Sequence, residues 1–214
     1  MSRESGAIYW AIEGIGGAGK STQLQYLKDY LEVLGRKVVY VREPGGVKEA
    51  ESIRELIFRL KKEGAVNVHH EVALFMAARY FLMKQILEPV LDSGSDVASD
   101  RTAASTGAYQ GFGGRAGLES IGKIAKAVLG NYLPDEMILL NLSYKEGMKR
   151  KKDKHEGDPY DGLGKKYWER VEQGYREMAR EKWLGMDWRV IDATKKVEEV
   201  RVDIQNVVNQ VLRA

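Results

Sequence analysis

Apolar residues along the chain fall into short solid runs, separated by longer stretches in which they recur every third or fourth position. The solid runs are Ile8 to Ile12, Lys37 to Val41, Val97 to Ser99, Met137 to Leu142 and Arg189 to Ile191. Their length and branched side chains predict buried β-strands. After the first run, Leu24, Leu27, Leu31 and Leu34 share a helical face, and Gly35 supplies a stop. Further helices are expected over 48–62, 69–91, 103–110, 116–130 and 165–182. A last helix carries Val197, Val200, Ile204, Val207, Val208 and Val211 on one face. The 69–91 segment is apolar on more than one face, which places it centrally. From Lys145 to Lys166 the chain is hydrophilic and holds Gly157, Pro159, Gly162 and Gly164, so the middle of that stretch reads as a surface loop. Strands alternating with helices imply an α/β fold, a five-stranded parallel sheet covered on both faces. No repeat or linker divides it, so residues 1–214 read as one domain whose sites lie beyond the carboxyl ends of the strands.

Composition narrows the function classes. The 214 residues are 43% hydrophobic and 30% charged, as expected of a folded chain with a core rather than a disordered one. A net charge of +3 suits a partner that carries phosphates and is too weak to argue for nucleic-acid binding. There is no cysteine, which excludes disulfides and thiolate metal sites, and His69, His70 and His155 show no metal spacing. Ile8 to Ile12 is too brief for the apolar core of a leader, and the longest apolar run, Val72 to Ala78, stops at Arg79. A soluble, cytoplasmic protein without membrane or nucleic-acid partners is expected.

The sharpest motif lies behind the first strand. Gly14-Ile15-Gly16-Gly17-Ala18-Gly19-Lys20-Ser21 fits G-x-x-x-x-G-K-[ST], with a strand before it and a helix after. Its glycines let backbone N–H groups point at phosphate oxygens, and the following helix, entered through Ser21 and Thr22, adds its positive end. Lys20 is expected on the β- and γ-phosphates of a nucleoside triphosphate, with the Ser21 hydroxyl on Mg²⁺. No Asn-Lys-x-Asp segment that would read guanine follows, and the chain is short for a motor ATPase. A small kinase using ATP and Mg²⁺ remains.

The other motifs resemble thymidylate kinase. Glu13-Gly14-Ile15 leading into Gly19-Lys20-Ser21-Thr22 is similar to that family's opening. Arg42-Glu43-Pro44-Gly45-Gly46 resembles its bacterial and archaeal branch, and Leu74 to Arg79 its base-binding helix. Ser99-Asp100-Arg101, Ser105 and Ala108-Tyr109-Gln110-Gly111 resemble its Asp-Arg-Tyr motif and the helix after it. Pro134-Asp135, Gly174-Tyr175 and Ile191-Asp192-Ala193 follow in order, so the likeness runs from Ile8 to about Val200.

The resemblance implies a role for each matching residue. Phe75 would stack on the pyrimidine and Arg79, four residues on and on the same face, would bond its carbonyl edge; by itself this apolar helix reads rather as packing, with Phe75 in the core and Arg79 a surface charge. Arg101 would grip the acceptor's phosphate with its planar fork, and Asp100 would organise Mg²⁺ with Ser21. Glu43 would lie near the metal or that phosphate, or serve only as a turn carboxylate. Tyr109, with Ser105 and Gln110 beside it, would press on the deoxyribose. The basic run Lys149, Arg150, Lys151, Lys152 and Lys154 falls where the family has a lid, here about 150–166, and Arg150 is the candidate for its catalytic cation. The Glu43–Pro44 bond is expected to be cis, and a homodimer is expected to form through the 69–91 helix.

Three positions depart from the family's pattern. Gly16 stands where an acidic residue usually contacts the acceptor's 3′-hydroxyl, Thr102 replaces the motif's tyrosine, and Pro159 replaces a lid arginine. The implied reaction is transfer from ATP to dTMP, giving dTDP and ADP in nucleotide biosynthesis. The alternatives are a sibling kinase for another small-molecule monophosphate such as dUMP, and a nucleotide-binding protein without efficient transfer. A protein of the last kind would have no need of Arg101.

Overall fold

The structure is a computed structural model and describes residues 5–151 and 159–213. Lys152, Lys154, His155, Gly157 and Asp158, which the lid reading includes, lie outside the described residues. The strands are β1 (Tyr9–Glu13), β2 (Val38–Arg42), β3 (Asp96–Asp100), β4 (Glu136–Asn141) and β5 (Asp187–Asp192). They form one fully parallel sheet in the order β2-β3-β1-β4-β5, as the alternating pattern implies.

Side chains leave successive strand positions toward opposite faces, and the core divides accordingly. Trp10, Ile12 and Ala98 pack with Leu24, Leu27 and Leu31 of α1 (Lys20–Val33) and with Ile204 and Val208 of α9 (Val197–Val211). Their chain neighbours Tyr9 and Val97 face Val72 and Met76 of α3 (Val68–Leu82), Leu91 of α4 (Glu88–Asp92) and Ile121 of α6 (Leu118–Leu129). α2 (Lys48–Lys62) lies against α3. After β1 the chain crosses to one side of it, and after β3 to the other. A crevice therefore opens at the carboxyl ends of β1 and β3, where Ile12 pairs with Asp100.

The expected 69–91 helix is helical throughout, but its turn at Met83–Leu87 is π-helical and divides α3 from α4. That wide turn lies just before Pro89, whose ring lacks a donor and crowds the carbonyl four residues back. The 103–110 helix is likewise short, α5 (Ala103–Thr106), and runs into a π-helical segment at Gly107–Gly113. The hydrophilic stretch from Lys145 opens in a helix that its sequence does not announce, α7 (Tyr144–Lys151), and much of its middle, read as a surface loop, lies outside the described residues. α7 escapes the apolar pattern because its sole fully buried residue is Gly147. The last expected helix before β5 is α8 (Lys165–Arg180). The Glu43–Pro44 bond is cis, as expected. Among the described residues, no helix is long and apolar enough to cross a membrane.

Candidate active site

The loop between β1 and α1 wraps as its motif requires. Gly14, Gly17 and Gly19 take φ of 144°, 81° and 91°, conformations that side chains rarely adopt. At Gly14 a Cβ would also stand 2.7 Å from the carbonyl oxygen of Leu140 on β4. Lys20 opens α1, is only 8% exposed, and its Nζ donates to the Ile15 carbonyl 2.9 Å away inside the loop. Burial, and then the nearby Arg101, lower its ammonium to about 7.

One residue further, Ser21 Oγ donates to Asp100 Oδ2 at 3.0 Å, joining the helix start to the end of β3. The other oxygen, Asp100 Oδ1, is buried and has no hydrogen-bond partner among the described residues. A buried carboxylate oxygen without a donor is costly unless a cation or its water is meant to fill the place. A hard divalent cation that takes oxygen ligands from one carboxylate, one hydroxyl and phosphates fits this pair.

Arg101 follows at once, with its amide bonded to Ile12 O at 3.1 Å and a φ of 76°. That left-handed conformation is uncommon away from glycine and marks strain held by its surroundings. Its guanidinium donates to Ser105 Oγ at 2.9 Å and to Gly14 O and Tyr109 OH at 3.4 Å each, over the Tyr109 ring. What holds this turn is Glu13, the fully buried last residue of β1. Glu13 Oε1 accepts from Thr102 N, Thr102 Oγ1 and Ser105 N at 2.8, 3.1 and 3.0 Å, and Oε2 accepts from Ser105 Oγ and Tyr175 OH at 2.8 and 2.9 Å. Thr102, where the family's tyrosine would stand, thus serves this carboxylate and caps α5 through Ala104 N. Sequence reasoning quoted Glu13 only as a motif letter. The available signal was a carboxylate ending a wholly apolar strand, which must find donors once buried.

Beside the loop lies a cleft lined by Phe75, Arg79, Arg101, Ser105, Tyr109 and Gln110, all acceptor-side residues that the sequence nominates. Glu43 also lines it, but as the partner of Arg79, whose Nε donates to Glu43 Oε2 at 2.5 Å in a pair only 3% and 2% exposed. Burial pushes the Glu43 carboxyl up, against the pull of Arg79. The rest of the Arg79 fork reaches Met76 Sδ and, at 3.4 Å, Thr106 Oγ1. The Glu43 carboxylate therefore orients the Arg79 fork, a role absent from the sequence reading.

The far wall was not foreseen. Tyr160 lines the cleft, its ring at a right angle to Tyr109 and its hydroxyl 2.6 Å from Glu71 Oε2. Gln110 Nε2 donates to the same Glu71 oxygen at 2.9 Å, and Lys61 to the other at 2.5 Å. Gln110 is thus turned toward Glu71 and Tyr160, with its amide fixed. Arg150, the expected lid cation, donates instead to Ala193 O at 2.9 Å. Its neighbour Lys151 lies over the loop, where a Cβ at Gly16 would stand 3.3 Å from its Nζ.

Comparison with known proteins agrees with this geometry. The thymidylate kinase family profile matches residues 12–204. The chain is 34% identical to the thymidylate kinase of Fervidobacterium nodosum over 205 residues, covering 96% of this chain and 100% of the relative. It is 37% identical to that of Mesoplasma florum over 203 residues, covering 94% of each. The crystal structure of thymidylate kinase from Ehrlichia chaffeensis superposes with a TM-score of 0.75 at 26% identity, covering 95% of this chain and 98% of that one. With the phosphate loop, the Asp100–Arg101 turn and the cleft in one crevice, the chain belongs to the thymidylate kinase family.

Proposed function

We infer that the chain transfers the γ-phosphoryl group of ATP to dTMP, giving dTDP and ADP. The observation that carries this is the adjacency of two sites: a triphosphate loop ending in Lys20 and Ser21, and a cleft that offers an aromatic face, a buried arginine fork and a second arginine at its mouth. In this reading Phe75 stacks on thymine and Arg79, held by Glu43, donates to a ring carbonyl. Arg101 binds the acceptor phosphate, and Tyr109 packs on the deoxyribose where a 2′-hydroxyl would project. Ser105 and Gln110 fix the arginine and the far wall. Residues 14–22 hold the ATP phosphates. Mg²⁺ would be held by Ser21 and Asp100, where it would shield charge between the β- and γ-phosphates. The chain works as one kinase domain.

The test is ADP release from ATP and Mg²⁺ with each nucleoside monophosphate added singly. The expected order is dTMP first, dUMP weaker, and ribonucleotides weakest; a panel in which dTMP is not preferred overturns the acceptor assignment. Omitting Mg²⁺ should reduce turnover at least about a hundredfold, because charge neutralisation is most of phosphoryl-transfer catalysis.

We also propose a cytoplasmic homodimer. Tyr80 and Phe81, near the end of α3, are 47% and 39% exposed, aromatic surface of the kind that a two-fold pairing covers. Sedimentation at micromolar concentration should give a species of twice the 24.1 kDa chain mass, and a species of single mass alone overturns it.

A further inference from the structure

We propose that Trp168 and Asp161 bind the 3′-hydroxyl of the acceptor's sugar, in a small pocket between the phosphate loop and α8. This assignment rests on the phosphotransfer reading above and names the residues that hold one part of the acceptor.

The rings around Tyr109 single out one donor. Three of them meet Tyr109 edge to face, Tyr160 at 5.7 Å, Trp168 at 5.6 Å and Tyr175 at 6.4 Å between ring centres. Tyr160 OH donates to Glu71 and Tyr175 OH to Glu13, so both hydroxyls are committed. Trp168 is 3% exposed, and its Nε1 is buried with no hydrogen-bond partner among the described residues. An indole nitrogen only donates, and a buried donor is costly unless a ligand or a water supplies its acceptor.

Trp168 lines the pocket with Gly16, Lys151, Asp161 and Tyr144, whose ring lies parallel to the indole. The loop brings no side chain there, because position 16 is glycine. The walls follow from how α7 docks. A Cβ on Gly147 would overlap Gly16 O, and a Cβ on Gly17 would overlap the backbone of Gly147, so helix and loop meet backbone to backbone. Residues four apart share a helix face, which lays Lys151 over the loop, where a Cβ at Gly16 would stand 2.9 Å from its Cε. Lys151 Nζ in turn anchors Asp161 through Oδ1 at 2.5 Å, in a pair 14% and 23% exposed. A carboxylate offers about four lone-pair sites, so Asp161 still accepts from a hydroxyl. The pocket thus holds one buried donor and one anchored acceptor. A hydroxyl, which accepts and donates at once, satisfies both.

The acceptor's sugar brings such a group to this place. With the base on Phe75 and Arg79 and the phosphate on Arg101, the sugar spans the gap between them over Tyr109. Its 1′ carbon then faces the base end and its 5′ carbon the phosphate end. The 2′ carbon packs on the Tyr109 ring, so the 3′-oxygen, one carbon closer to the phosphate, leaves the sugar between Tyr109 and the phosphate loop. Trp168 adjoins both, against the Tyr109 ring on one side and beside Gly16 on the other. Tyr160 lines the cleft and Asp161, the next residue, lines the pocket, so the two spaces share a wall. In the bound acceptor Trp168 Nε1 donates to the 3′-oxygen, and the 3′-hydroxyl donates to Asp161.

The experiment compares dTMP with 3′-deoxythymidine 5′-monophosphate in the unaltered protein, Trp168→Phe and Asp161→Ala, by ADP release and, without ATP, by calorimetric binding. The unaltered protein should favour dTMP about a hundredfold in kcat/KM, because an acceptor that lacks the hydroxyl leaves both partners unpaired. Trp168→Phe, which keeps a ring in the core, should narrow that preference to about tenfold by weakening dTMP alone. Asp161→Ala should narrow it similarly, and as the more exposed residue it carries the test independently of the core. The calorimetric affinities should narrow in the same order. An unaltered protein that uses both acceptors equally overturns the proposal. So does a Trp168→Phe variant that loses the same factor with each acceptor, the mark of a packing role. If dTMP itself drives no ADP release, the acceptor reading fails instead, a result distinct from the other two.

Discussion

Replacing Lys20 with alanine is expected to lower kcat at least about a thousandfold, roughly 4 kcal/mol of transition-state stabilisation, without unfolding the chain. The side chain is buried inside the loop, and its Nζ bonds Ile15 O rather than a carboxylate, so the substitution strands no buried charge. A loss of less than about tenfold, under ~1.4 kcal/mol, would mean that the loop does not bind the transferring phosphates. The same residue predicts a proton linkage. Before nucleotide arrives, burial and Arg101 lower Lys20 to about 7, so at pH 8 it is mostly neutral. Triphosphate oxygens favour the charged form and raise that value again, so ATP binding near pH 8 takes up a proton. Calorimetry in two buffers of different ionisation enthalpy reads this uptake directly. It should vanish well below pH 7, where the lysine is already protonated, and in Lys20→Ala.

What could be read from the chain divides along the range of the interactions. The five strands, the glycine loop and α1 are written in local patterns, a run of apolar residues and a motif with fixed spacing, and they stand where the sequence places them. Phe75, Arg79, Arg101 and Tyr109 meet in one cleft, as the resemblance implies. The misread parts depend on partners far along the chain. Glu13 is satisfied by Tyr175 from 162 residues away, and Glu71 by Tyr160 from 89 residues away. Nothing in the spacing of either carboxylate announces its donor. α7 was missed because it docks through Gly147 rather than an apolar stripe, and that same docking decides that Lys151, not Arg150, meets the loop. For Glu43 the sequence leaves a metal or phosphate neighbour and a turn carboxylate both open; its amide bonds Asp100 O, and its carboxylate pairs with Arg79 and accepts from Tyr9 OH.

Arg101→Ala should reduce kcat/KM for dTMP by about a thousandfold, roughly 4 kcal/mol, with ATP binding little changed. Three features of the turn support so large an effect. The guanidinium lines the cleft and lies 3.4 Å from the Gly14 carbonyl, between the phosphate loop and the cleft that the proposed reaction joins. It is held in one orientation by Ser105 and Tyr109, so little rotamer freedom is lost on binding. And the backbone beneath it is kept left-handed at φ 76° by the five hydrogen bonds that Glu13 accepts from Thr102, Ser105 and Tyr175. Arg101→Lys should recover little, because an ammonium cannot hold two phosphate oxygens as a planar fork does. Glu13→Gln separates placement from charge. It leaves the arginine in place, but its amide nitrogen is a donor facing donors, so one side of the turn loses its acceptor. KM for dTMP should rise while ATP affinity is held, and kcat should fall less than in Arg101→Ala. Equal losses in all three variants would mean that the turn merely folds the site. A normal kcat/KM in Arg101→Ala would place the acceptor phosphate elsewhere in the cleft.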